Sequence, residues 1–518
     1  MNRLAIWHKR IYWFTLFGVA VGLPLNKIVL SLSGLLMALN WIVEGQFKEK
    51  FKRLKAQKIG LLLAVLFCVL AFTLVYSEDV HYGVKDLRIK LPLLLFPVVI
   101  FSSEALSIEM YRRVVAAFVI SVTAVTIINY TYFLLSGNSF SDARQMSLFD
   151  SHIRLSLMVT IVAFLAARAF FIVEGRMKLI PLILVLWMMH YTHKSEVLTG
   201  YFSFIIAGFT VLLWYVFSYI QKNRILITLG ILTIAAALIY WLYLNVYPIP
   251  KEQLDKENLP VFTELGGRYQ HNKNSVILEN GYYIHYFVCP EELDSVWKTK
   301  TGSSLLSNEN ENLYPTLLRY MTSLGLRKDA LGFDSLSEQD IQNVLDGHPS
   351  IIYAQGGFRS RLARITMEIQ KHLEGADPNG STIQQRIEYW RTGCSILKAN
   401  PILGVGIGDV QKAFDEKYIE NNSRLLKENR LHTHQQFLTI WIGAGIIGFL
   451  IFVLYILLVL RKAIQLNSFP LIVVWTIISF SYFFEDTLET QVGATLASFL
   501  VSFILHQEQK VPLFKSLK

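Results

Sequence analysis

The chain has 518 residues, 53% of them hydrophobic and 17% charged, with a mean hydropathy of +0.40 and a formal net charge of +10. A soluble domain carries about 25% charged residues, so this composition excludes one large water-soluble globule and calls for lipid around much of the chain. The positive excess does not point to nucleic acid, because the basic residues gather in short segments between apolar runs, the pattern by which a membrane protein sets its orientation.

Met1 to Arg10 reads as a basic flank of the first span, and no convincing signal-peptide cleavage site follows it. Apolar runs predict about twelve spans, at residues 11–24, 27–44, 59–76, 88–104, 114–136, 154–172, 178–192, 197–219, 225–247, 436–459, 468–484 and 490–506. Spans 1, 4 and 7 fall short of the ~20 residues an upright helix needs, which leaves tilted or re-entrant segments open there. Glu44 to Lys58 holds six Lys or Arg residues against two Glu and is expected to be cytoplasmic. Counting from it places Arg112/Arg113, Arg176/Lys178, Lys222/Arg224, Arg461/Lys462 and both termini on the same side.

The expectation is therefore an all-α membrane protein in three parts: an N-terminal bundle of about nine spans over 1–247, a large, mostly helical extracytoplasmic loop over 248–435, and about three spans with a cytoplasmic tail over 436–518. In the loop, helical patches at Ser360 to His372 and Thr382 to Ala399 are broken by Asp377-Pro378-Asn379-Gly380 and Asn400-Pro401. Cys68 lies in an apolar run. Cys289 and Cys394 either pair in an oxidising compartment or stay free. No Cys/His metal spacing is present.

Chemistry-bearing residues concentrate between Gln385 and Leu450. Arg386 and Trp390 share a helix face. Gly404, Gly406 and Gly408 follow Asn400-Pro401 and permit tight turns; their amides are either a phosphate cradle or, on spacing alone, a plain loop. His432-Thr433-His434-Gln435 precedes span 10, and Arg424, Lys427 and Arg430 precede the histidines. An imidazole near neutral pKa accepts a proton from a hydroxyl while arginines hold an anion.

These motifs resemble the O-antigen ligase family, whose hallmark is His followed by Asn, Ser or Gln, nine residues, Gly, two residues and a small residue or Tyr. His434-Gln435, Gly445 and Gly448 fit it, and Arg386-x-x-x-Trp390 and Asn400-Pro401-x-x-Gly404-x-Gly406-x-Gly408 are similar to the family's external loop. The resemblance implies a glycosyltransferase of the bacterial inner membrane whose active site faces the periplasm. It would move a glycan from undecaprenyl pyrophosphate to a hydroxyl of a lipid A-core sugar, another glycan or a protein, with no nucleotide, metal or other cofactor. His434 matches the base and Arg386 the pyrophosphate-binding arginine.

Arg391 is a second candidate donor or a solvated surface charge. His152 and Arg154, where span 6 begins, are similar to a His-containing family segment; Arg154 faces a cavity or snorkels. Where family members carry Arg near span 8, this chain has His193-Lys194, and Lys194 lacks a bidentate fork. Lys85, Arg88 and Lys90 read as interfacial anchors or steering charges. Glu485, Asp486 and Glu489 read as a solvated acidic turn or as partners of an arginine. A polymerase, a protein O-glycosyl ligase and a transporter or flippase without chemistry are the competing functions. A transporter is expected to carry polar, broken helices at the midplane, whereas the polar residues here collect at span ends.

Overall fold

Each of the twelve apolar runs coincides with helix in the computed structural model, which describes residues 3–136, 143–247, 249–306 and 312–514. In chain order the helices are α1 (Arg3–Leu25), α2 (Lys27–Glu44), α3 (Phe47–Lys55), α4 (Leu62–Phe72), α5 (Val80–Lys90), α6 (Pro92–Ser102) and α7 (Ile108–Leu135). Then come α8 (His152–Phe170), α9 (Leu179–Ser195), α10 (Leu198–Tyr219) and α11 (Arg224–Val246). A hairpin of β1 (Leu278–Glu279) and β2 (Tyr282–Tyr283) precedes α12 (Pro290–Thr301), α13 (Leu313–Ser323), α14 (Ala330–Asp334), α15 (Glu338–Leu345), α16 (Ile351–Gln355) and α17 (Gly357–Leu373). The chain closes with α18 (Thr382–Ala399), α19 (Val410–Glu420), α20 (Gln436–Gln465), α21 (Phe469–Ser481) and α22 (Gln491–Glu508).

Among the described residues, six helices are long and apolar enough to cross a membrane: α2, α7, α8, α10, α11 and α20. Leu62–Val75 and α21 are shorter apolar helices. The protein is an all-α membrane protein. Several of its helices start where a side-chain oxygen satisfies the first free amides: Asn26 accepts from Ile28 and Val29, Ser107 from Met110, Ser151 from Ile153, Ser468 from Leu471 and Thr490 from Gly493.

The chain forms two compact units. The first comprises 1–231 and 386–518, so residues 386–435 belong to the unit that holds most of the apolar helices. Its centre is α22, in which every residue from Val492 to Glu508 is buried. The second unit, 232–385, holds the C-terminal part of α11, the hairpin and α12 to α17. The hairpin pairs Leu278 with Tyr283 and Glu279 with Tyr282. Trp297, Leu317, Tyr320, Met321 and Val344 make its core, and the buried Glu279 takes two hydrogen bonds from Arg319 at 2.8 and 2.9 Å. Cys68, Cys289 and Cys394 are all free thiols.

Candidate functional site

The segment before α20 is held by three aromatic residues. Trp390 donates from Nε1 to Thr433 O at 2.9 Å, Tyr389 from its hydroxyl to Asn429 O at 2.9 Å, and Tyr418 to Leu431 O at 2.7 Å. Gly393 lets α18 come close, since a Cβ there would stand 2.7 Å from Thr433 Cγ2. Under these restraints His434 sits in the left-handed region, at φ 48°, a conformation non-glycine residues adopt rarely. Its amide donates to Asp486 Oδ2 at 2.9 Å, which fixes the turn. Gln435 then caps α20, its side chain accepting from Leu438 N at 2.6 Å. The His-Gln order has a local cause: one residue turns the chain and the next starts the helix.

The carboxylates of the acidic turn between α21 and α22 are half-buried and engaged by the protein. Glu485 Oε1 lies 2.5 Å from Arg386 Nη2, and Arg386 Nη1 also donates to Phe484 O. The other oxygen, Glu485 Oε2, is 4.0 Å from His434 Nδ1. Asp486 accepts from Thr439 Oγ1 at 2.7 Å. Glu489 pairs with Lys90, which also pairs with Asp86 at 2.6 Å. Gln436 ties the turn to α20, accepting from Leu488 N at 2.6 Å and donating to Glu489 Oε1 at 3.3 Å. Lys90 is thus a buried ion-pair partner and not an interfacial anchor, while Lys85 and Arg88 are exposed.

Burial sets the protonation of this cluster. His434 is pushed down to about 4, first by desolvation and then by the charge of Arg386 and the proximity of His432. Glu485 is raised by burial, with Arg386 and Arg154 opposing. Asp486 is pushed up to about 7 by burial and by Glu489. The outcome is a neutral imidazole beside a guanidinium and a carboxyl group. His432 is also lowered by burial; its Nε2 has no hydrogen-bond partner among the described residues, and its ring lies 5.4 Å from that of Phe414.

The glycines of the 400–408 loop serve packing. Gly404 (φ 72°) and Gly445 (φ 63°) face each other: a Cβ on Gly404 would lie 2.5 Å from Ile442 O, and one on Gly445 2.0 Å from Ile402 O. Gly445 breaks α20, and the loop satisfies the backbone groups that the break frees. Val405 N donates to Ile442 O at 2.8 Å and Ile446 N to Ile402 O at 3.0 Å. Gly406 packs against Ser77, with Ile407 N donating to Thr73 Oγ1 and Gly408 N to Ser77 Oγ. The amides of Gly404, Val405, Ile407 and Gly408 are thus engaged within the protein.

Residues 349–453 match the O-antigen ligase family model. No curated protein matches the chain. The match spans His434, Gly445 and Gly448, the residues that carry the resemblance, and supports a membrane enzyme of the O-antigen ligase or polymerase type.

Against the O-antigen ligase pattern, the candidates divide. Arg386, Trp390, His434 and Gln435 converge with the acidic turn, and His432 stands beside them. Arg154 is paired with Asp150 at 3.3 Å, and its charge reaches Glu485. His152, half-buried, is the first residue of α8. Lys194 is exposed at the end of α9 and forms no ion pair with a described residue. Arg391 is 71% exposed and 3.9 Å from Glu388, a solvated surface charge. Sequence reasoning undervalued Glu485, Asp486 and Glu489; the available signal was three carboxyl groups packed into five residues between two apolar spans.

Proposed function

We propose that this protein transfers a glycan from undecaprenyl pyrophosphate to an acceptor hydroxyl of a lipid A-core sugar or related glycan at the periplasmic face of the inner membrane. The observation that carries the reading is the neutral His434, fixed in a left-handed turn beside the Arg386–Glu485 pair. The acceptor oxygen attacks the anomeric carbon, the bond from that carbon to the pyrophosphate oxygen breaks, and the hydroxyl proton passes to the imidazole. Glu485 Oε2, 4.0 Å from Nδ1, stabilises the charge that the ring gains.

Guanidinium groups hold the departing charge through paired, permanently charged donors. Arg386 exchanges its present carboxylate partner for the more highly charged pyrophosphate, and Arg154 adds field from the start of α8. A base at about 4 is weak, but the donor's negative charge raises it toward the working pH when it binds next to Arg386. The reaction as drawn uses these side chains and no metal ion.

The test is reconstitution of the purified protein in nanodiscs with a synthetic polyprenyl-diphosphate glycan and a chelator. Three acceptors are compared: lipid A-core, a second lipid-linked glycan and a protein. Ligase activity predicts product and free polyprenyl diphosphate with the first. Product only with the second or third identifies a polymerase or a protein O-glycosyl ligase. Absence of product with all three, or dependence on an added metal, overturns the reading.

A further inference from the structure

The second unit holds a cavity that the proposed chemistry does not use. It measures about 270 Å³ and lies where the last turns of α11 meet α17 and the hairpin. Its walls are built: Thr366 Oγ1 donates to Asn245 O at 3.0 Å, and Gln370 both accepts from Leu278 N at 2.7 Å and donates to Leu278 O at 3.1 Å. Trp241 lines it with an indole 44% exposed. Asn245 donates to Trp241 O at 2.7 Å, and its side-chain oxygen accepts from no donor among the described residues. Lys251 reaches Asn280 Oδ1 at 3.1 Å.

The charge balance of this cavity is positive. Glu279, the carboxylate in its lining, is committed to Arg319 at 2.8 Å. Lys251 and Arg359, both exposed, line the cavity and make no ion pair with a described residue. A flat aromatic face, an open amide acceptor and two uncompensated cations are therefore gathered around a volume close to the ~300 Å³ lower bound of small-molecule pockets.

We propose that this cavity binds an acidic sugar residue of a glycan substrate. The apolar face of a pyranose ring lies on Trp241, Asn245 takes a hydroxyl, and Arg359 with Lys251 holds its carboxylate. A phosphate headgroup of a lipid requires donors only, whereas a ring of hydroxyls requires acceptors too, and the open oxygen of Asn245 supplies one. The inference rests on the glycan-transfer reading for its substrate class.

The experiment uses the full chain in phosphatidylcholine nanodiscs and two probes, a glucuronic-acid-containing trisaccharide and its neutral glucose counterpart, with binding followed by ligand-observed NMR and calorimetry. The acidic probe should bind at least about tenfold more tightly, a difference of about 1.4 kcal/mol. R359Q should remove that preference and R359K should retain most of it. W241A should weaken both probes. H434A should bind like the wild type. Equal binding of the two probes, or an R359Q variant that keeps the preference, overturns the proposal. So does loss of acidic-probe binding when phosphatidylglycerol replaces part of the lipid, which would assign the cavity to an anionic headgroup. Acidic-probe binding without transfer sinks only the transfer reading; transfer without such binding sinks only this one.

Discussion

Replacing Gly445 with alanine tests whether the break in α20 organises the site. Gly445 has φ 63° and ψ −168°, a region open essentially to glycine alone. Forcing alanine into it costs ~1–3 kcal/mol in backbone strain. The new Cβ would stand 2.0 Å from Ile402 O and 2.6 Å from Leu403 C, both backbone atoms, so the loop must move. Movement separates Ile446 N from Ile402 O and Val405 N from Ile442 O, and each buried group left unsatisfied costs ~1–3 kcal/mol. With partial relaxation the total is on the order of 3–6 kcal/mol. The assay is thermal unfolding of the purified protein in detergent, paired with glycan transfer, and Gly230→Ala is the control. Gly230 lies within α11, where a Cβ meets nothing within 4 Å, so that variant should match or slightly exceed the wild type. Wild-type stability and turnover in G445A would show that the break in α20 does not organise the site.

Arg386→Lys should weaken donor binding about 10- to 100-fold, since a hydrogen bond to a charged group is worth ~1.5–3 kcal/mol; an unchanged KM for donor removes Arg386 from the pyrophosphate. Trp390→Phe removes the donor to Thr433 O; stability should drop by about 1 kcal/mol and kcat should fall several-fold with donor affinity kept, so an unaltered kcat argues against a positioning role. Asp486, pushed up to about 7 from 3.8, keeps its proton in the folded state over a range where the unfolded chain has lost it. Its contribution is complete below about 4 and is lost as pH rises toward 7. His434, held at about 4 against 6.5, acts in the opposite sense over its own range. The difference in unfolding temperature between wild type and Asp486→Asn should therefore shift steadily against the wild type from pH 4 to 7, and a flat difference contradicts the assignment.

Much of the fold was legible because lipid imposes a strong constraint: an apolar run long enough to span must be helix. The loop helices were legible from their breakers, Asn400-Pro401 ending α18 at Ala399. His434 and Arg386 could be chosen from motif order. Their link through Glu485 could not, because Arg386 and Glu485 are 99 positions apart and no local pattern joins them. Lys90 looked like an interfacial anchor for the same reason, its partner Glu489 being 399 positions away. The glycines were visible, but whether their amides faced a ligand or the protein depended on α20 bending at Gly445. The left-handed turn at His434 has only a weak sequence signal, since histidine adopts positive φ more often than most residues but still uncommonly.

The role of His434 as the base is tested most directly by separating binding from turnover in His434→Ala. Donor affinity is measured by calorimetry with a polyprenyl-diphosphate glycan, and transfer is measured by product formation in the same nanodiscs. Donor affinity should stay within about threefold of the wild type, a factor worth well under the ~1.4 kcal/mol of a tenfold change, while transfer falls by at least ~100-fold, the usual contribution of a general base. Transfer at the wild-type rate, or a loss explained entirely by failure to bind donor, would contradict that role.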